Sequence, residues 1–177
     1  RRDADERGVP GVRVSNGRDV TTTDADGRYR LPISGDAVIF VVKPRNWMTP
    51  VCANNLPQFH YVHRPTGSPP LKYAGVSPTG PLPESVDFAL VRRPEPDEFT
   101  ALIFGDTQTR DAAEVEYVAR DLVAETSGTT AAFGITLGDI VFDDLSVFDL
   151  LVPTMGRIGV PWYHVAGNHD MNYDAAD

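Results

Sequence analysis

Three times in its second half the chain repeats one pattern: an apolar run, a glycine, and at once a polar residue of metal-binding type. Phe99 to Phe104 leads into Gly105-Asp106-Thr107-Gln108, Ala131 to Leu137 into Gly138-Asp139, and Val160 to Ala166 into Gly167-Asn168-His169-Asp170. Short runs rich in β-branched and aromatic residues read as strands. From Asp111 onward, Val115, Val118, Ala119, Leu122 and Val123 fall on one helical face that Ser127-Gly128 closes, and Leu145 to Met155 has room for a second helix. Strands joined by helical crossovers pair in parallel, because only antiparallel neighbours can be linked by a tight turn. All three Gly-polar loops then leave the sheet at its carboxyl edge, where α/β proteins build their sites. Asp106, Gln108, Asp139, Asn168 and His169, far apart in sequence, become neighbours there. They supply carboxylate, amide and imidazole groups, the donors that hard and borderline divalent cations take.

The first half has a different rhythm. Gly11 to Val14, Val20 to Thr23, Tyr29 to Ile33 and Val38 to Val42 are short strands separated by Asn16-Gly17 and by Asp24-Ala25-Asp26-Gly27, which are hairpin signals. The opening ADERGVPGV reads as a turn that follows a strand. Residues 43–83, rich in Pro, Asn and aromatics, read as a long ordered excursion, and Ser85 to Val91 as the closing strand. The expected organisation is therefore multidomain: an all-β sandwich over 1–93, a stiff Pro-containing linker at 94–98, and an α/β unit over 99–177.

Charge follows the same division. Residues 1–93 hold 13 Lys/Arg against 9 Asp/Glu, whereas residues 94–177 hold 3 against 16. An acidic half repels a phosphate backbone and suits cations, so there is no strong nucleic-acid signal. No apolar run approaches the ~20 residues of a membrane helix. The single cysteine, Cys52, excludes an internal disulfide and any thiolate metal cluster.

The ordered set GD-x-Q, GD and GNHD resembles the first three motifs of the calcineurin-like metallophosphoesterases. GVPGVRVSNG with TTDADGRYRLPI resembles the carboxypeptidase-regulatory or transthyretin-like β-sandwich that precedes the catalytic domain in a bacterial branch of that superfamily. The resemblance implies a hydrolase of phosphate mono- or diesters with two divalent metal ions, drawn from Mn, Zn, Fe or Mg. Asp106 and Gln108 would bind the first metal, Asp139 would bridge, and Asn168 would bind the second. His169 would stand beside the leaving group, with Asp170 orienting its ring.

Three departures from the family pattern shape these expectations. Gln108 occupies the place of the common histidine, which weakens the first site for zinc or iron. Phe142 stands where purple acid phosphatases place a metal-binding tyrosine, so no tyrosinate-to-iron chromophore is expected. IVFDDLS after Asp139 holds no arginine, so the substrate phosphate must be held from elsewhere. The family's later histidine motifs are expected downstream of Asp177, and on this reading the chain is the front of a catalytic domain, inactive by itself. An extracytoplasmic or periplasmic setting is suggested by resemblance alone. The rival reading is a binding or scaffold protein whose sandwich recognises a glycan, peptide or envelope partner and whose α/β half has lapsed.

Among the remaining candidates, His60 and His63 are spaced so as to point apart on an extended segment. His164 is expected to be buried and hydrogen-bonded, Trp162 to lie in the core, and Asp143, Asp144 and Asp149 to cap and decorate the second helix.

Overall fold

A computed structural model describes residues 7–173. Two compact units divide them: 7–50, 58–69 and 76–95 form the first, and 51–57, 70–75 and 96–173 the second. Ala4 to Glu6 of the opening turn lie outside the described residues.

In the first unit, β1 (Arg13–Ser15), β2 (Val20–Thr22), β3 (Ala37–Val42) and β5 (His60–His63) make an antiparallel sheet in the order β2-β1-β3-β5. The Asn16-Gly17 turn joins β1 to β2 as expected, with the Asn16 Oδ1 accepting from the Arg18 and Asp19 amides. Val12, Val14, Ile39 and Val41 are buried, while Val20, Val38 and Val42 are exposed. β4 (Trp47–Met48) pairs with β6 (Val91–Arg92) as a separate two-stranded ribbon. Two expected strands do not form. Tyr29 to Ile33 includes Pro32, which cannot donate to a ladder; the segment is tied instead by Asn16 Nδ2 donating to the Pro32 carbonyl and by Tyr29 Oη donating to the Val86 carbonyl. In the closing segment only Val91 and Arg92 join a sheet; Ser85 to Leu90 do not pair. His60 is exposed and His63 buried, on opposite sides of β5.

The second unit holds the parallel sheet. β7 (Ala101–Gly105), β8 (Phe133–Leu137) and β9 (Trp162–Val165) lie side by side in that order, Ala101 beside Phe133 and Gly134 beside Trp162. The first crossover begins at Asp111, whose carboxylate accepts from the Ala113 and Glu114 amides as an N-cap, and continues through α1 (Ala112–Tyr117), a π-helical segment Val118–Val123, and α2 (Ala124–Thr126). Val115, Val118, Ala119 and Val123 are buried as their spacing requires, but Leu122 is 37% exposed. The wider π winding rotates it off the face that a regular 3.6-residue period would give it. The second crossover is a 3₁₀ turn, Leu145–Val147, running into α3 (Phe148–Gly156).

These helices bury Leu151, Met155, Val123 and Val147 against one face of the sheet, with Trp162 fully buried among them. Trp162 lies against Gly134: a Cβ on that glycine would come within 2.0 Å of the indole ring. The indole Nε1 donates to the buried Thr136 Oγ1 at 2.9 Å, and the Phe104 ring packs on it at 5.0 Å. Two pieces of the Pro-rich excursion belong to this unit as well. Asn55 donates through Nδ2 to the Gly156 carbonyl, and its own carbonyl accepts from Trp162 N.

Gly134→Ala is expected to destabilise the second unit by about 3 kcal/mol through overpacking against Trp162. Gly105→Ala, with no atom within 4 Å of the added Cβ, should change stability by less than about 0.5 kcal/mol. Urea unfolding followed by tryptophan fluorescence separates the two.

Candidate functional site

The parallel register carries the three loops to one edge. Gly105 pairs with Leu137 and Leu137 with Val165, so Asp106 leaves β7 level with Gly138. Beyond the strands the loops stay bridged. Gln108 N donates to the Asp139 carbonyl at 2.8 Å, Gly138 N to the Val165 carbonyl at 2.9 Å, and Thr109 pairs with Val141.

Backbone strain concentrates at this edge. Asp106, Gln108 and Asp139 have φ of +39°, +41° and +40°, a region that costs a non-glycine residue about 1–3 kcal/mol. The glycines were expected to make the turns, and Gly138, at φ +74°, does so. At positions 106 and 139 the aspartates themselves take the left-handed conformation. Gly167 serves a different need, close approach: a Cβ there would lie 2.1 Å from Asp139 Oδ1 and 2.2 Å from Asp139 N. No larger residue leaves the GNHD turn room to seat on Asp139.

Asp139 is where the loops meet. Its Oδ1 accepts from His169 N at 3.1 Å and its Oδ2 from Gln108 Nε2 at 3.1 Å. Those donors, the His169 amide foremost, hold its carboxyl below the usual carboxylate range against the opposing effect of burial. Asp106 and Asn168 reach the same edge by backbone placement, and both are exposed. Among the described residues no three His, Cys, Asp or Glu side chains converge as a cation cluster.

Asp170 does not orient the His169 ring. Its carboxylate accepts from Ile140 N and Val141 N, each at 2.9 Å, and from Gly167 N at 2.8 Å, which staples the Gly138-Asp139 loop to the GNHD turn. The ring partner is Asp143, expected only to decorate a helix: its Oδ1 lies 2.9 Å from His169 Nδ1. That contact raises the imidazole pKa above its ordinary value. Asp144 does cap the 3₁₀ turn, accepting from Ser146 N and Oγ. The His169 ring stacks on Phe142, centroids 4.5 Å apart and planes 18° from parallel.

A strap from the excursion completes this side. Tyr73 exchanges hydrogen bonds with Asn172, its N donating to Oδ1 and its carbonyl accepting from Nδ2, and Tyr73 Oη donates to the Asp143 carbonyl at 3.2 Å. Nothing in the sequence pattern linked residues 70–75 to the motifs. His164, expected to be hydrogen-bonded, has both ring nitrogens buried without a partner among the described residues; burial lowers its pKa, so the ring is held neutral.

Residues 1–72 match a family model described as the N terminal of calcineurin-like phosphoesterase. No curated protein and no solved structure matches the chain. The matched region ends before Asp106, so the match and the carboxyl-edge motifs rest on different residues.

Asp170→Ala strands three amides and is expected to cost at least about 2 kcal/mol in urea unfolding. Asp143→Asn removes the carboxylate that favours the imidazolium, so the His169 pKa should fall toward the ordinary value. Imidazole proton shifts followed by NMR across pH 5 to 9 would expose an unchanged titration.

Proposed function

We propose that the protein is a metal-dependent hydrolase of phosphate mono- or diesters, with Asp106, Gln108, Asp139 and Asn168 as the metal ligands and His169 beside the leaving group. The observation that carries this reading is the concurrence of independent regions: a calcineurin-like phosphoesterase match over 1–72, and three strained polar residues gathered at one edge of a parallel sheet. A catalytically lapsed scaffold has no need to keep non-glycine residues in a costly backbone conformation at that edge.

The donor set fits divalent cations in kind. Two carboxylates and two amide oxygens are hard ligands, and Asp139 is held in its anionic form by its own hydrogen bonds. In number these residues fill only part of the two coordination shells, and water, substrate oxygens or further ligands complete them. Bound cations would neutralise charge that develops on the phosphoryl oxygens.

The chain's own groups have distinct tasks. Gln108 Nε2 and the His169 amide fix the Asp139 carboxylate, and the Asp170 staple keeps the two loops in register. Asp143 and Phe142 hold the His169 ring between an ion pair and an aromatic face. There it can present a proton or a positive charge to a departing alkoxide.

The test is hydrolysis of chromogenic phosphate mono- and diesters by the native-length protein with Mn²⁺ or Zn²⁺. Asp106→Asn and Asp139→Asn are each expected to lower kcat by roughly a thousandfold or more, and His169→Ala by roughly a hundredfold. Wild-type protein that hydrolyses no phosphate ester above background contradicts the reading.

A further inference from the structure

Residues 94–177 contain only three Lys/Arg side chains, Arg110, Arg120 and Arg157. Arg120 is forked onto Asp121, with Nε and Nη2 at 2.7 and 3.1 Å from its two carboxylate oxygens. Arg157 sits at the carboxyl end of α3, which the crossover places at the opposite edge of the sheet. Of these three, only Arg110 stands at the candidate site, two residues after Gln108; the strap beside it adds Lys72, whose Nζ lies 5.1 Å from the Tyr73 ring centroid. The Arg110 guanidinium lies over the Phe142 ring, 4.9 Å from the centroid. His169 stacks on that same ring at 4.5 Å. Phe142 is thus a shared contact for the imidazole and the guanidinium.

The guanidinium is not used up by its neighbours. Glu114 is committed through Oε2 to the Arg110 backbone amide at 2.8 Å, and its other oxygen reaches Nη1 only at 3.5 Å. An exposed pair of that length contributes little. The ring packs beside the guanidinium while its donor fork stays accessible, with 61% of the side chain exposed. A fixed fork of N–H donors matches the two oxygens of a phosphate or carboxylate.

We infer that Arg110 is a specificity residue that binds a second anionic group of the substrate, next to the phosphate ester beside His169. This rests on the hydrolase reading and narrows it to esters whose alcohol portion carries a further phosphate or carboxylate. It also places the anion-binding arginine on the loop after β7, whereas the segment after Asp139 holds none.

The experiment compares two non-hydrolysable probes, propane-1,3-bisphosphonate and propylphosphonate, titrated into the whole chain with Zn²⁺ present and followed through the Arg110 Nε–H resonance and by calorimetry. Wild type should bind the bisphosphonate roughly tenfold more tightly. Arg110→Gln should abolish the preference, Arg110→Lys should keep part of it, and Arg120→Gln should leave it intact. Equal affinity for both probes in wild type, absence of binding by either, or a preference that survives Arg110→Gln overturns the assignment. An Arg110-dependent preference in a protein that hydrolyses no ester would retain the anion site and remove the hydrolase reading, so the two failures are distinguishable.

Discussion

The contact on which the carboxyl edge depends is the seating of the GNHD turn on Asp139. The Gly167 backbone approaches the Asp139 side chain so closely that a methyl group cannot be placed between them. From that approach follow the His169 amide on Oδ1, the Asp170 carboxylate on the amides of Ile140, Val141 and Gly167, and the position of the imidazole beside Asp143. Packing beneath the edge makes the approach possible. Trp162 over Gly134 brings β9 against β8, and the 2.9 Å bond to Thr136 fixes the height of the indole. A glycine thus has one role at the base of the sheet and another at its rim, neither of which is a turn.

The strain at Asp106, Gln108 and Asp139 has a physical counterpart in electrostatics. Asp106 and Asp139 both leave the carboxyl edge of the sheet in an already acidic unit. At Asp139 the cost is offset by hydrogen-bond donors, and its carboxyl titrates lower than usual as a result. Asp106 is exposed to solvent at the same edge. A divalent cation is the simplest species that would favour both carboxylates there at once.

What could be read from the sequence followed from periodicity and from local capping chemistry. The β7-β8-β9 unit, the helix that begins at Asp111, the buried Trp162 and the grouping of the three loops all come from patterns within a dozen residues plus the parallel-crossover rule. The failures come where one residue breaks a local rule or where tertiary contact decides. Pro32 removes a donor from an otherwise strand-like run. The π winding shifts Leu122 by a fraction of a turn that no hydrophobic pattern records. The roles of Asp143 and Asp170 depend on which carboxylate faces the ring and which faces bare amides, and two acids 27 residues apart look alike in sequence. Residues 51–57 and 70–75 joined the second unit through backbone and amide contacts that carry no compositional signature.

The central claim is that residues 106–108, 138–140 and 167–170 form one cation-binding rim. Paramagnetic broadening of backbone amides by substoichiometric Mn²⁺ maps a bound ion directly, even when binding is weak. The account predicts that broadening concentrates on those three segments and disappears in Asp139→Asn. Broadening centred elsewhere in the chain, or unchanged by that substitution, contradicts it.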